Sequence, residues 1–419
     1  MWQTIKNIYH LLIAFLANLW FGFPSKNLIV IGVTGTDGKT TTASLIHYIL
    51  KTSHLNSSII SSIGAEINGK KYSLPFHVTT PPPFYLQKFI KKTKGTATKN
   101  YLVLEVTSHS LDQFRVFGIN FEIGVITNIT SEHLDYHGTF ENYVKTKIKL
   151  LKMSKIAVLN KDDESYELIK KELLKIKTKK PKIITYGLKK TSDINPKDFN
   201  FKSKLIGNFN QSNILAAFAV CINLGIKKEK IKKSIQTFDS PMGRQDVVYP
   251  SASIRQAQDK DSGQGDFTVM IDFAHTPNSF KKILSFLRKK VKGRIIHVFG
   301  AAGQRDADKR PEMGRISSKY SDIVVITAED PRSESIEKIT DEIISGIDDR
   351  ENRIKNKTLL KISDRQEAIT EAIKMAKKDD LVLLTGKSHE KSMNYGKGEE
   401  PWDEYEAVRK ALGVRNNNG

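Results

Sequence analysis

The sequence predicts an α/β protein: a P-loop parallel-sheet central domain followed by a Rossmann-like α/β C-terminal domain. Two observations carry this. Short β-branched apolar runs alternate with helical stretches on both sides of residue 240, the pattern of strands covered by helices on both faces. A glycine-rich turn also falls between a strand run and a helix run, where an open parallel sheet presents its ligand crevice. A length of 419 residues suits two or three cores. The boundaries read as 1–26 for an apolar N-terminal helix, 27–240 for the central domain and 241–419 for the C-terminal domain.

In the first segment Ile5, Ile8, Leu12, Phe15, Leu16 and Leu19 recur at helical spacing. The apolar stretch from Ile8 to Phe23 is too short and interrupted for a membrane span. It also lacks the small-residue cleavage site of a signal peptide. The stripe predicts a helix packed on the protein body, with a helix lying on a membrane surface as the other reading.

From Asn27 strands and helices alternate. Leu28–Val33 reads as a strand and Thr41–Lys51 as a helix. Ser58–Ile63, Tyr101–Val106 and Gly124–Asn128 read as further strands, and Asn68-Gly69 is a two-residue hairpin signal. Residues 152–205 are polar and lysine-rich and read as a smaller appendage. Gly207–Gly225 returns to helix, and Pro241-Met242-Gly243-Arg244 reads as a hinge. The Ser-, Gln-, Asp- and Gly-rich stretch from Tyr249 to Phe267 reads as a surface loop inside a hairpin. Val269–Phe273, Arg294–Phe299, Ile323–Thr327 and Leu381–Thr385 are the strands of the second domain. No internal repeat of solenoid period is visible.

Apolar residues make up 39% and charged residues 27%, ordinary for a soluble globular chain. The net charge of +21 raises the possibility of a nucleic-acid partner. The lysines are scattered along helices such as 228–233 without aromatic interleaving, so no nucleic-acid partner is expected. Cys221 is the sole cysteine, in an apolar helical run; it reads as a buried inert thiol and suits a reducing, cytoplasmic compartment.

The strongest chemical signal is Gly32-Val33-Thr34-Gly35-Thr36-Asp37-Gly38-Lys39-Thr40-Thr41. Backbone N–H groups and the helix N-terminus would cradle phosphates there, with Lys39 on the β/γ-phosphates and Thr40 on Mg²⁺. The string departs from the common P-loop pattern, which would place glycine at Val33. Glu105 ends a buried strand, in position to bind a cation in the crevice. His133, in Thr127-Asn128-Ile129-Thr130-Ser131-Glu132-His133, follows another strand and offers an imidazole ligand. Lys147 lies in a basic helical stretch that, judged alone, is a solvated face.

Together the phosphate loop, Thr79-Thr80-Pro81, the Glu105 and His133 segments and Lys147 resemble the Mur ligases, and within them the MurE branch. The resemblance runs from about residue 28 to residue 412. It implies an ATP-dependent amide ligase of peptidoglycan synthesis that adds an amino acid to UDP-N-acetylmuramoyl-dipeptide. It implies ATP contacts at Gly35, Thr36, Asp37, Gly38, Lys39, Thr40 and Thr41, with Asn213 on the adenine, Arg244 near the γ-phosphate and Asp272 on the ribose. Two Mg²⁺ would involve Thr40, Glu105 and His133, and Lys147 would be carbamylated. The acceptor would meet Thr79, Thr80, Thr107, Gln113 and Arg115; the family more often has Ser at position 107. Arg305, Glu329, Asp330, Arg332, Gly386 and Glu390 would receive the free amino acid. The stretch Glu329-Asp330-Pro331-Arg332 resembles the Asp-Asn-Pro-Arg signature of diaminopimelate-adding members, departing at Glu329 and Asp330. The retained Arg332 implies meso-diaminopimelate, whose extra carboxylate needs a cation.

Relatives of this branch usually carry a UDP-gripping N-terminal domain, whereas residues 1–26 alone precede the first strand here. That leaves a second reading, a Mur-like ligase for a lipid-linked muramoyl or folate-like acceptor. A basic nucleic-acid-binding P-loop protein is a third. Residues 1–26 allow peripheral membrane contact.

Overall fold

In the computed structural model the described residues are 2–75, 78–95, 97–177, 179–189, 191–197, 202–249 and 266–417. The chain divides into two compact units, Met1–Asp239 and Ser240–Gly419.

The first unit opens with α1 (Trp2–Phe21), a short 3-10 turn (Pro24–Asn27) and β1 (Leu28–Thr34). Then come α2 (Lys39–Thr52), β2 (Asn56–Ser61), β3 (Gly64–Ile67), β4 (Lys70–Tyr72), α3 (Pro83–Lys92) and β5 (Asn100–Glu105). They are followed by α4 (Ser108–Asp112), β6 (Phe121–Ile126), α5 (Leu134–His137), α6 (Phe140–Lys152), β7 (Ser154–Asn160), α7 (Tyr166–Leu174) and β8 (Lys182–Tyr186). The unit closes with α8 (Asn208–Asn223) and α9 (Lys228–Thr237).

Its sheet has the order β4-β3-β2-β5-β1-β6-β7-β8. β2, β5, β1, β6, β7 and β8 are parallel, and β3 and β4 add an antiparallel edge. Asn68 and Gly69 turn β3 into β4 with φ of 49° and 79°, the two left-handed residues that a tight hairpin requires. β1 runs between β5 and β6, so the carboxyl ends of these three strands open one crevice. Residues 152–205 are no appendage: β7 and β8 extend the same parallel sheet, in register from Ile156↔Lys182 to Asn160↔Tyr186. Their polar appearance comes from the long lysine-rich stretches around these short apolar runs.

The N-terminal helix corrects the sequence reading. Its inward face is Ala14, Ala17 and Asn18, all fully buried. Ile8, Leu12, Phe15, Leu16 and Leu19 of the expected packing stripe are exposed instead. Small residues let the helix backbone approach closely. Asn18 donates to the Phe117 carbonyl at 2.8 Å, and a Cβ on Gly118 (φ +78°) would lie 2.7 Å from Asn18 Oδ1. A helix docked by a polar residue on a glycine leaves its large apolar side chains pointing outward. No helix among the described residues is long and apolar enough to cross a membrane.

The second unit has β9 (Asp246–Tyr249), β10 (Thr268–Asp272), α10 (Pro277–Arg288), β11 (Ile295–Phe299), α11 (Lys309–Tyr320) and β12 (Ile323–Ile326). It continues with α12 (Ile336–Ser345), α13 (Arg350–Lys355), β13 (Leu359–Lys361), α14 (Arg365–Met375) and β14 (Leu381–Thr385). A small pair, β15 (Ser392–Asn394) and β16 (Glu399–Pro401), precedes α15 (Glu404–Asn417). The sheet order is β13-β12-β11-β14-β10-β9, parallel except for β9. β13 is three residues long, which hid it in the sequence. The Pro241–Arg244 segment belongs to this unit: Ser388 donates to the Gly243 carbonyl at 2.8 Å. Most of the expected surface loop between Tyr249 and Phe267 lies outside the described residues.

Arg365, at the start of α14, is fully buried against an equally buried Glu404. Its guanidinium donates to both carboxylate oxygens, at 2.9 and 2.6 Å, and to the carbonyls of Ala328 and Thr385. The pair thereby ties the ends of β12 and β14 to α15. Breaking one half of a buried pair leaves an uncompensated charge. Glu404→Gln should cost about 3 kcal/mol, checked by urea unfolding followed at the adjacent Trp402.

Candidate active site

In the first unit the chain between β1 and α2 wraps over the crevice. Gly35 and Gly38 adopt φ of +150° and +80°, open to glycine and costly for other residues. A Cβ on Gly35 would lie 1.9 Å from Thr127 Oγ1. The loop is pinned to the chain after β6: Thr36 N–H donates to the Asn128 carbonyl at 2.8 Å and Asp37 N–H to Asn128 Oδ1 at 3.0 Å. Thr127 Oγ1 donates to the Asp37 carbonyl at 2.6 Å. Thr127 and Asn128 were legible only as flanks of the His133 segment; the structure makes them braces of the phosphate loop. The N-terminus of α2, with Thr40 and Thr41 buried, starts directly behind it.

Lys39 Nζ donates to the carbonyls of Gly35 and Thr36, at 3.1 and 2.8 Å. Beside it Thr40 Oγ1 meets Glu105 Oε1 at 3.2 Å and Ser62 Oγ at 2.9 Å, while Ser62 N–H donates to Glu105 Oε2 at 3.1 Å. Hydroxyl and carboxylate oxygens converging at a strand end are the donor set a hard divalent cation takes. Ser62 escaped the sequence reading because a serine after a strand carries no signal of its own.

Lys147 projects from α6 into the interior and is 2% exposed. Its Nζ donates to the Gly35 carbonyl at 2.8 Å. Burial, then the nearby Lys39 charge, push its pKa well below the ordinary lysine range, against the opposing pull of Glu132 and Asp37. Lys147 is therefore not on the solvated face that its basic neighbours suggested. His133 (φ +56°) precedes α5; its Nε2 lies 3.8 Å from Glu132 Oε2 and its ring meets His109 edge-on. Asn213, on α8, is buried beneath the loop: its Oδ1 accepts from Thr42 at 3.4 Å, and a Cβ on Gly38 would lie 2.3 Å from it.

A second cluster sits at the end of β5. Thr80 Oγ1 donates to the Glu105 carbonyl at 2.9 Å and accepts from Thr107 N–H at 3.2 Å. Arg115 donates to the Thr80 carbonyl at 2.7 Å and to Gln113 Oε1 at 3.0 and 2.6 Å. Thr107 caps α4 through Ser110 N–H. Thr80, Thr107, Gln113 and Arg115 are thus one connected group, with Thr79 half-buried next to it in sequence.

In the second unit the residues expected at the amino acid surround the ends of β12 and β14. Lys387, which the sequence reading passed over, is the hub: fully buried, it donates to both oxygens of Asp330 at 3.0 and 2.9 Å and to Glu390 at 2.7 Å. Glu329 is buried, and its Oε2 has no hydrogen-bond partner among the described residues. A Cβ on Gly386 (φ +99°) would lie 2.1 Å from that atom. Burial raises the Glu329 pKa from 4.5 to about 7, against the pull of Arg365, His275 and Lys309. Arg332 Nη1 donates to the Gly303 carbonyl at 3.3 Å, and Arg305 is exposed in the same loop. Near the start of the unit, Arg244 lies over the Phe273 ring, 4.5 Å from its centroid, with Nη1 3.4 Å from His389 Nδ1. Asp272 accepts from the N–H groups of Gln245 and Ala274 at 2.8 and 2.7 Å.

Residues 33–221 match the Mur ligase middle domain and residues 258–388 the Mur ligase, glutamate ligase domain. The chain belongs to the Mur ligase family. It is 38% identical over 403 residues to the UDP-N-acetylmuramoyl-L-alanyl-D-glutamate–2,6-diaminopimelate ligase 1 of Clostridium acetobutylicum, covering 92% of this chain and 78% of that one. The corresponding ligase of Aquifex aeolicus is 37% identical over 415 residues, 95% of this chain and 80% of its own. A solved structure of a ligase of the same name superposes with a TM-score of 0.58 at 29% identity, covering 94% of this chain and 80% of that one. The folylpolyglutamate synthase of Mycobacterium tuberculosis, complexed with ADP, shares the fold with a TM-score of 0.68 at 17% identity, covering 90% and 91%.

Glu329 supplies a pH signature. Its folded pKa lies above its unfolded one, so its contribution to stability is present below pH 4.5 and is lost as pH rises to about 7. The second unit should lose a few kcal/mol across that window. In Glu329→Gln the decline should flatten, read from urea midpoints at a series of pH values.

Proposed function

We propose that this chain is an ATP-dependent, ADP-forming ligase that adds meso-diaminopimelate to UDP-N-acetylmuramoyl-L-alanyl-D-glutamate in peptidoglycan synthesis. The observation that carries the reading is the crevice at the ends of β1, β5 and β6. There a glycine loop leading into the N-terminus of α2, Lys39, and the Thr40–Ser62–Glu105 oxygens lie side by side.

An amide does not form from a free carboxylate at neutral pH without activation. Transfer of the γ-phosphoryl of ATP to the acceptor carboxylate gives an acyl phosphate; the amine then attacks the acyl carbon and inorganic phosphate leaves. Mg²⁺ supplies charge stabilisation for that transfer when bound. We assign the phosphates to residues 35–41, the cation sites to Thr40, Glu105 and His133, and the acceptor to the Thr79, Thr80, Thr107, Gln113 and Arg115 group. From the second unit, Arg244 is assigned to the γ-phosphate and Asp272 to the ribose; Asn213, from the first, is assigned to the adenine. Asn213 is buried against Gly38, its Oδ1 accepting from Thr42 and its Nδ2 donating to Asn210 Oδ1.

Lys147 is assigned as a carbamate. Its depressed pKa favours the neutral amine, the form that attacks CO₂ and releases a proton. The product is an anion where an ammonium would oppose Lys39 and the cations. Lys147→Ala should lose nearly all turnover and regain part of it with acetate or formate. Phosphate release at matched ionic strength measures this, and an absence of rescue counts against the carbamate.

For the amino acid, the Lys387–Asp330–Glu390 cluster bears on the choice. Asp330 is paired with Lys387 from within, which lessens its repulsion of an incoming carboxylate. We assign Arg332 and Arg305 to the distal carboxylate of meso-diaminopimelate, and the Glu329 oxygen that has no hydrogen-bond partner among the described residues to an ammonium. Amino-acid-dependent phosphate release with UDP-muramoyl-dipeptide tests the function directly. Arg332→Ala should lower kcat/KM for meso-diaminopimelate by roughly ten- to a hundredfold and leave lysine little changed. A wild-type preference for lysine overturns the amino-acid assignment.

A further inference from the structure

The outward face of α1 has no place in the ligase reading. Ile8, Tyr9, Leu12, Phe15, Leu16, Leu19 and Trp20 are between 44% and 77% exposed. At 100° per residue they occupy one half of the helix, opposite the buried Ala14, Ala17 and Asn18. On the adjoining α3, Phe84 and Tyr85 are 40% and 54% exposed, and Phe84 meets Phe21, on the inward side of α1, ring to ring at 6.4 Å. An exposed apolar helix face of this kind marks an interaction site.

Its border has one sign of charge. Residues 1–36 contain no Asp or Glu, and neither do residues 67–104. Lys6 lies in the first turns of α1 and Lys26 follows its end, and both are exposed. On α3, Lys88 and Lys91 follow Phe84 at helical spacings of four and seven, so they share its face. Lys91 Nζ stands 5.9 Å from the Phe21 ring centroid. Aromatic residues, aliphatic residues and a lysine rim without carboxylates match the layers of an anionic bilayer surface: acyl boundary, interface and headgroup phosphates. A second copy of this chain would bring its own lysine rim against this one, with no carboxylate in residues 1–36 or 67–104 to compensate.

We infer that the α1–α3 face docks on membranes rich in anionic phospholipid, lying in the interface without crossing it. This stands independently of the ligase assignment, since it uses none of the site residues.

The test is co-sedimentation of the full-length chain with vesicles of phosphatidylcholine, with and without phosphatidylglycerol, over a salt series. Binding should require phosphatidylglycerol and weaken with salt. Leu16→Glu/Trp20→Glu should abolish it, and Lys88→Glu/Lys91→Glu should weaken it by roughly tenfold or more. All four positions are exposed, and unchanged circular dichroism and ATP binding would show each variant folded. Equal binding to both vesicle types, or binding that survives Leu16→Glu/Trp20→Glu, overturns the inference. So does self-association in light scattering, without vesicle binding, that Leu16→Glu/Trp20→Glu removes, which would assign the face to a second copy.

Discussion

The first unit depends on the contact between Gly35 and Thr127. A phosphate loop must expose its N–H groups and still hold a fixed shape, and a bare loop does neither well. Here the shape comes from outside the loop: Thr127 and Asn128 take up the carbonyl of Asp37 and the N–H groups of Thr36 and Asp37. Only a glycine lets the loop settle so close. Because β6 lies beside β1 in the sheet, the same registration that forms the core also brings the brace under the loop. Catalytic geometry is thus inherited from strand pairing.

Charge is handled differently in the two units. Around the loop, Lys39 and Lys147 both end on backbone carbonyls, and among the described residues no carboxylate is hydrogen-bonded to either. Burial, and then repulsion from the Lys39 charge, push the Lys147 pKa well below the ordinary lysine range. In the second unit the buried cation keeps two carboxylates as direct partners, Asp330 and Glu390 on Lys387. The first arrangement leaves a place that anions and metals can complete. The second already holds its cation between two carboxylates and serves to fix the positions of groups around it.

The helices show where pattern reading reaches its limit. On α10 the periodic positions Phe280, Ile283, Leu284 and Leu287 are the buried ones, as amphipathic periodicity requires. On α1 the same logic selects the wrong face, because docking is decided by Asn18, Ala14, Ala17 and the glycine opposite them. Periodicity locates a helix and its apolar side; it does not say whether that side meets the core or another phase. Residues 152–205 failed for a different reason. The strands β7 and β8 are short apolar runs set among long lysine-rich stretches, which mask them in the composition of the segment.

By itself the sequence determined the α/β class, the phosphate loop and the family, since each rests on local spacing or on motifs read in order along the chain. It also marked Glu105, His133, Lys147 and the acceptor group, though only as members of a resemblance. Tertiary structure alone decided the partners. Ser62 joins Thr40 and Glu105, Lys147 leaves its basic helix face for the Gly35 carbonyl, and Lys387 gathers Asp330 and Glu390. These meetings join strand ends and helix faces far apart in the chain. Whether a lysine is a solvated charge or a buried, proton-poor amine depends on the dielectric and the charges around it, and both exist only once the sheet has closed over them.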